Sequence, residues 1–172
     1  CAALTSCSSG NPTQVTNNQV PAVVNISPST NLSLELGKTQ TFTSTAQNSA
    51  GTNLTETFTY QSSDPSVLTV SSSGLACAGT WDSLTAPTLC TPGQTGVAQV
   101  TSVANGVSSL PVTVYVHQHV TTVVVSPVPN QTPTLSPNCL SSGAPAGPEH
   151  VLYQASAFNG NADITPSVGP FI

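Results

Sequence analysis

The chain has 172 residues, of which one is basic and six are acidic, and its formal net charge is −5. A single lysine cannot neutralise a nucleic-acid backbone, and so few cations cannot hold a chain on anionic lipid headgroups, so both modes of binding are excluded. No apolar run approaches the roughly 20 residues that a bilayer-spanning helix needs.

The N-terminal residues combine two cysteines with a polar stretch. Cysteine-containing chains this poor in charge are typical of exported proteins, because disulfides persist in oxidising compartments. A chain that begins "CAALTSCSSGNPTQ" resembles a processed bacterial lipoprotein, and the resemblance implies acylation at Cys1 and membrane contact through that lipid. We expect residues 1–19 to be the lipidated end and a flexible tether, since the stretch has no periodicity. A Cys1–Cys7 bond, or an arbitrary chain boundary at Cys1, is the alternative.

The other cysteines predict crosslinks. Cys77 and Cys90 flank "AGTWDSLTAPTL", which contains the single tryptophan. Closing a loop of that size stabilises the fold by roughly 3 kcal/mol in the chain-entropy model. Cys7 then pairs with Cys139 by parity, pinning the N-terminal segment. Alternatively, Cys139 pairs with a residue beyond Ile172 and Cys7 stays near the anchor.

Period-two alternation begins after residue 19 and predicts β-strands. "VVNISPS" is a short strand, "NLSLELG" places three leucines on one face, and "TFTSTAQ" places Phe42, Ser44 and Ala46 on one face. The segment "TFTYQSSDPSVLTVSSSGL" continues with two strands separated by a turn at Pro65.

The segment "GVAQVTSVANGVSSLPVTVYV" predicts a hairpin whose turn is Ala104-Asn105-Gly106, since Asn and Gly both tolerate positive φ. No stretch of the chain has the pattern of an amphipathic helix. Short strands with regularly spaced turns, over roughly 95 residues, predict an all-β sandwich.

Three of these segments carry a family resemblance. "LELGKTQTFTSTA", "TYQSSDPSVLTVSSSGL" and "GVAQVTSVANGVSSLPVTV" resemble the group 2 bacterial immunoglobulin-like domain over roughly Val23 to Val116. The resemblance implies an immunoglobulin-like β-sandwich over residues 20–117. Two departures are Tyr60, where the family has Trp, and the insertion between Cys77 and Cys90. That insertion is the candidate contact loop, through the side chains of Trp81, Asp82 and Leu84.

A partial repeat follows the first sandwich. "VVVSP" at 123–127 repeats "VNISP" at 24–28, and "LYQASAFNGNADIT" at 152–165 repeats "TFTSTAQNSAGTNLT" at 41–55. We therefore expect residues 118–172 to form a truncated second copy. Half a sandwich cannot bury its inner face, so we expect either a longer natural chain or a second polypeptide that completes the sheet.

Side chains that could carry chemistry are few. His117 and His119 lie on one face of a predicted strand, with His150 as a conceivable third metal ligand, but no carboxylate or cysteine cluster completes such a site. We read the pair as a polar linker. The acids are scattered singly and no serine lies in a hydrolase motif. We therefore predict no catalytic residue, no metal, and no cofactor apart from the lipid on Cys1.

Together, the N-terminal cysteine, the strand pattern and the lack of catalytic motifs predict a non-catalytic, lipid-anchored, extracytoplasmic protein at the outer membrane, cell surface or periplasm. As a spacer, stalk or adhesin, it would bind protein or glycan at the cell envelope through loops such as 77–90. Alternatively, it is an accessory lipoprotein subunit of a larger envelope complex or filament. A catalytic domain beyond Ile172 would make the same sandwiches spacers of an enzyme.

Overall fold

The structure is a computed structural model that describes residues 19–81, 89–129 and 152–169. Within these ranges the backbone forms short strands and one four-residue helix, α1 (Thr165–Val168). The strands are β1 (Val23–Ser27), β2 (Leu32–Glu35), β3 (Thr39–Thr41), β4 (Thr43–Gln47), β5 (Asn53–Leu54), β6 (Thr59–Ser62), β7 (Thr69–Val70), β8 (Leu75–Cys77), β9 (Gly79–Trp81), β10 (Cys90–Pro92), β11 (Gly96–Ala104), β12 (Val107–Ser108), β13 (Val112–His117), β14 (Thr122–Pro127), β15 (Tyr153–Asn159) and β16 (Ala162–Asp163).

Strands β1 to β13 build an immunoglobulin-like sandwich, as predicted. One layer contains β1-β4-β5 and β3-β8-β7, which are continuous because only Phe42 separates β3 from β4. The other layer contains β6, β11, β12, β13 and β2, in which β2 runs parallel to β13. The chain crosses from the first layer to the second between β1 and β2, at the cis Ser27–Pro28 peptide.

The core lies between the two layers and follows the predicted alternation. Val112, Val114 and Val116 of β13 are buried, whereas Thr113 and Tyr115 between them are partly exposed. The facing layer contributes its own buried apolar side chains, and the core set is Ile26, Phe42, Val67, Leu68, Ala76, Ala78, Ala98, Val100, Val112, Val114 and Val116. The three leucines of "NLSLELG" pack partly buried against this set. In both layers the apolar side chains alternate with polar ones and face the core. This alternation fixes the strand register of the sandwich.

The hairpin turn predicted at Asn105-Gly106 is confirmed, since both residues have positive φ, at 49° and 83°. A two-residue turn with positive φ at both positions matches the twist of the strands on either side. It joins β11 to β12, where Ala104 pairs with Val107.

Asp64 organises the turn that follows β6. Its Oδ1 accepts hydrogen bonds from the Ser66 hydroxyl at 2.6 Å and from the Ser66 backbone N–H at 3.0 Å. These two hydrogen bonds lower the pKa of Asp64 below its usual 3.8, and the bond from the Ser66 hydroxyl has the larger effect. Asp163 repeats the arrangement with the Thr165 hydroxyl and N–H, and its pKa is lowered in the same way.

Strands β14, β15 and β16 form a separate three-stranded antiparallel sheet. The chain then forms α1. The sequence pattern predicts no helix at this position. The helix is a single turn with proline at its start, a position that proline favours because the missing N–H is not needed there. The Thr165 N–H donates to the Asp163 carboxylate at 2.9 Å. Such a local turn leaves no amphipathic pattern in the sequence.

Truncating Leu68, which has 0% of its surface exposed, tests the core. We expect Leu68→Ala to lower the free energy of unfolding by roughly 2 to 5 kcal/mol, through lost transfer energy and a cavity. Leu110→Ala is the matched control, because Leu110 is 85% exposed, and should change stability by no more than about 0.5 kcal/mol. Urea unfolding followed by circular dichroism measures both, and equal losses would contradict the assigned core.

Removing the Ser66 hydroxyl tests the Asp64 turn. We expect Ser66→Ala to raise the pKa of Asp64 toward 3.8 and to leave Asp163 unchanged, as read by NMR titration of the two carboxyl groups. A carboxyl pKa that is lowered in the folded state stabilises the fold above the unfolded pKa, and that contribution is lost as the pH falls through the folded value. The stability difference between wild type and variant should therefore shrink under acid. Equal shifts at both aspartates would count against the local hydrogen bond.

Candidate functional site

The Cys77–Cys90 hairpin is the candidate site, and a disulfide closes it. Cys77 ends β8, Cys90 begins β10, and the two sulfurs are bonded with 5.5 Å between the Cα atoms. Both cysteines are buried. Strand β8 pairs with β3 and β7 inside the first layer, so the bond ties the hairpin directly to the core sheet.

The base of the hairpin is held by a close approach of two backbone segments. Strand β9 pairs with β10, with Trp81 opposite Cys90 and Gly79 opposite Pro92. Gly79 has φ of 140°, and a Cβ there would collide with the carbonyl oxygen of Thr91. The Thr69 hydroxyl donates to the Gly79 carbonyl at 2.7 Å. Glycine is therefore required at this position, a constraint that only the fold reveals.

Of the three predicted contact residues, Trp81 belongs to the described part of the chain, where it ends β9. Trp81 is partly buried, and its Nε1 has no hydrogen-bond acceptor among the described residues. Leu89, directly before β10, is exposed. Asp82 and Leu84 lie outside the described residues, so their contact role is still a prediction. A partly buried Trp beside an exposed Leu, next to a disulfide, forms a surface suited to contact with another macromolecule.

The histidines at the end of β13 have separate roles. His117 is buried and its Nδ1 lies 2.6 Å from the Gln118 carbonyl oxygen, whereas His119 Nδ1 lies 2.8 Å from Glu35 Oε2. The hydrogen bond with His119 lowers the pKa of Glu35 below 4.5. Within the described part of the chain no group of three or more His, Cys, Asp or Glu could hold a metal. His150 lies outside that part.

Polar contacts connect the first sandwich to the segment that follows it. The Asn159 side-chain amide donates to Gln118 Oε1 at 3.0 Å, and the Ser33 hydroxyl donates to the Val168 carbonyl at 2.6 Å. A Cβ on Gly169 would meet the ring of Tyr115 at 2.7 Å, so α1 ends against the outer face of β13. His119 thus lies in this hydrogen-bonded junction through Glu35, whereas His117 is a buried residue at the end of β13.

An apolar groove, which the sequence did not indicate, lies where the edges of the two layers meet. It has a volume of about 290 Å³ and is lined by β1 and by the segment from Val107 to Val112. Val23 is half exposed there and Leu110 almost fully exposed. The only sequence signal is an apolar residue directly before Pro111, which is not specific.

The remaining predicted sites lie outside the described residues. Cys1, Cys7 and Cys139 are among them, so acylation at Cys1 and the Cys7–Cys139 pairing are still predictions. In the described ranges no helix is long and apolar enough to cross a membrane. Three acids have lowered pKa values: Glu35, Asp64 and Asp163. Each accepts a hydrogen bond from a nearby hydroxyl or imidazole, and the three lie in separate parts of the fold.

No family model matches the chain, and no curated relative matches it. Solved structures similar to it include domains 5–6 of the S-layer protein SbsC, at 16% identity and a TM-score of 0.42, with 86% of this chain and 68% of that chain covered. A structure of SbsC domains 4–9 matches at 18% identity and a TM-score of 0.42, over 85% of this chain and 22% of that one. The adhesin InvE of Yersinia pseudotuberculosis matches at 20% identity and a TM-score of 0.34, over 61% and 28%. At TM-scores below 0.5 these likenesses carry no conclusion about activity or binding.

Removing the crosslink tests how far the hairpin depends on it. We expect the double variant C77A/C90A to lose about 3 kcal/mol of unfolding free energy, because the crosslink that closes a loop of this length no longer restricts the unfolded chain. Thermal unfolding under oxidising and reducing conditions measures the loss. Reduction should lower the midpoint of the wild type by more than that of the double variant, which can keep only the predicted Cys7–Cys139 bond. A double variant as stable as the oxidised wild type would show that the hairpin is held by packing alone.

Proposed function

We propose that the chain is a non-catalytic structural or adhesive module of a bacterial cell surface, built on the group 2 immunoglobulin-like pattern. The disulfide-closed hairpin, with Trp81 at the end of β9, is the observation that carries the proposal. It is an insertion relative to the family pattern, and the disulfide ties it to the core sheet through β8. Its ligand class is protein or glycan at the envelope.

An extracytoplasmic location is supported by the same crosslink. Structural disulfides persist in exported proteins and are rare in reducing cytoplasm. Attachment through lipid on Cys1 is part of the proposal and rests on the N-terminal sequence alone. Two or three acyl chains are needed for stable anchoring, since each buried methylene contributes only about 0.8 kcal/mol.

The second candidate function is an accessory lipoprotein subunit of a larger envelope complex or filament. The groove beside Val23 and Leu110 favours it. An apolar side chain as exposed as Leu110, next to an apolar groove, is costly in water and gains from contact with a permanent partner. The two candidates therefore place the main contact at different ends of the same sandwich.

One experiment on the protein extracted gently from membranes of its natural host tests the proposal. We expect the N-terminal peptide to exceed its unmodified mass by that of the acyl groups, and the Cys1→Ser variant to leave the membrane fraction. An unmodified mass would remove the lipid and the anchoring.

The size of the extracted protein separates the two candidate functions. A surface module predicts a monomer in detergent, with the hairpin free to bind. A subunit predicts a fixed stoichiometry with partners, which Leu110→Ala should disrupt and Trp81→Ala should not. A fixed complex that depends on Trp81 instead would contradict the subunit assignment of the groove and keep the hairpin as the contact.

A further inference from the structure

The sheet formed by β14, β15 and β16 repeats the pairing of β1, β4 and β5 residue by residue. Val24 pairs with Ala46 in the first sandwich, and Val123 pairs with Ala157 in the repeat. Ile26 pairs with Ser44, and the equivalent Val125 pairs with Ala155. Directly opposite residues of an antiparallel pair point to the same face of a sheet. Val123 and Val125 therefore occupy the face that Val24 and Ile26 turn to the core.

The burial of these equivalent residues differs sharply. Val24 and Ile26 are 4% and 5% exposed, whereas Val123 and Val125 are 51% and 64% exposed. Tyr153 pairs with Pro127 next along the same face and is 63% exposed. We call Val123, Val125 and Tyr153 the open face. On the same face Ala157 is already buried and Ala155 is partly buried, so the exposed part lies along β14 and at Tyr153. The two strands carry no charged side chain, which favours an apolar partner for that exposed part.

The first sandwich defines what covers this kind of face. Val24 packs with Ala104, and Ile26 belongs to the cluster that contains Ala98, Val100 and Val112. All these covering residues lie in β11 and β13, which follow β5 in the same chain. The cover is thus a sheet with an uncharged inner face of valine and alanine with one buried serine, Ser102, and it comes from the C-terminal side.

We propose that the open face is the docking surface for a second β-sheet of this chemistry, supplied by polypeptide on the C-terminal side of α1. Docking completes a second sandwich in the order that the first one uses. Sheets in a sandwich pack about 10 Å apart through one face each, so the surface accepts a sheet with an apolar face and rejects a charged one. This inference is independent of the proposed function, since it concerns neither Cys1 nor the hairpin.

Thiol labelling of two adjacent positions tests the proposal. Val125 lies on the open face and Val124, 46% exposed, lies on the opposite one. In the protein expressed from the complete gene in its host, we expect the Val125→Cys variant to react with maleimide at least tenfold more slowly than the Val124→Cys variant, read by peptide mass spectrometry. In the isolated 172-residue chain the two rates should be similar. Equal rates in both preparations would overturn the proposal.

The isolated chain also distinguishes a second copy from the proposed sheet. If protection at position 125 appears there and rises with concentration, together with a dimer in sedimentation, the cover is another copy of this chain and the proposal fails.

A chimera provides a measurement that does not depend on the complete gene. Residues 55–117 are joined after Ile164, the equivalent of Leu54, so that β11 and β13, the strands that cover Val24 and Ile26, are offered to the repeat. We expect Val125→Thr to lower the melting temperature of the chimera by several degrees and Val124→Thr to leave it unchanged. In the isolated chain neither substitution should have an effect. A chimera whose melting temperature changes with neither substitution would contradict the proposed docking.

Discussion

The first sandwich depends on Val112, Val114 and Val116 of β13 facing one way while Thr113 and Tyr115 face the other. A shift of one residue would turn every valine to water and every polar side chain to the core. Because β13 pairs with β11 on one side and β2 on the other, its register is transmitted across the whole layer. The facing layer then has a single apolar surface to pack against.

The hairpin and the junction both depend on this packed core. The disulfide joins β8, a central strand of the first layer, to the start of β10, so the base of the hairpin is covalently tied to that layer. Glu35 and Ser33 of β2, beside β13, make the hydrogen bonds that hold the following segment. The features available for contact are therefore positioned by strands whose own positions the core determines.

Much of this fold could be predicted from the sequence, because alternation, turn residues and cysteine spacing are local signals. The turn at Asn105-Gly106 and the strand faces of β4 and β13 are examples. Contacts between distant segments leave no such signal. The close approach of Gly79 to Thr91, the groove beside Leu110 and the pairing of His119 with Glu35 all join residues whose neighbours are set by the fold. The short helix α1 was missed because one turn has no periodicity.

Methyl-to-ring NOEs on the isolated chain test the packing of the two layers most directly. Val114 and Phe42 belong to the same buried cluster although they lie in opposite layers. The account predicts NOEs from the core cluster, including the Phe42 ring, to the methyl groups of Val114, and none to the methyl group of Thr113. Contacts to Thr113 in place of Val114 would mean a strand shifted by one residue, and would contradict the account.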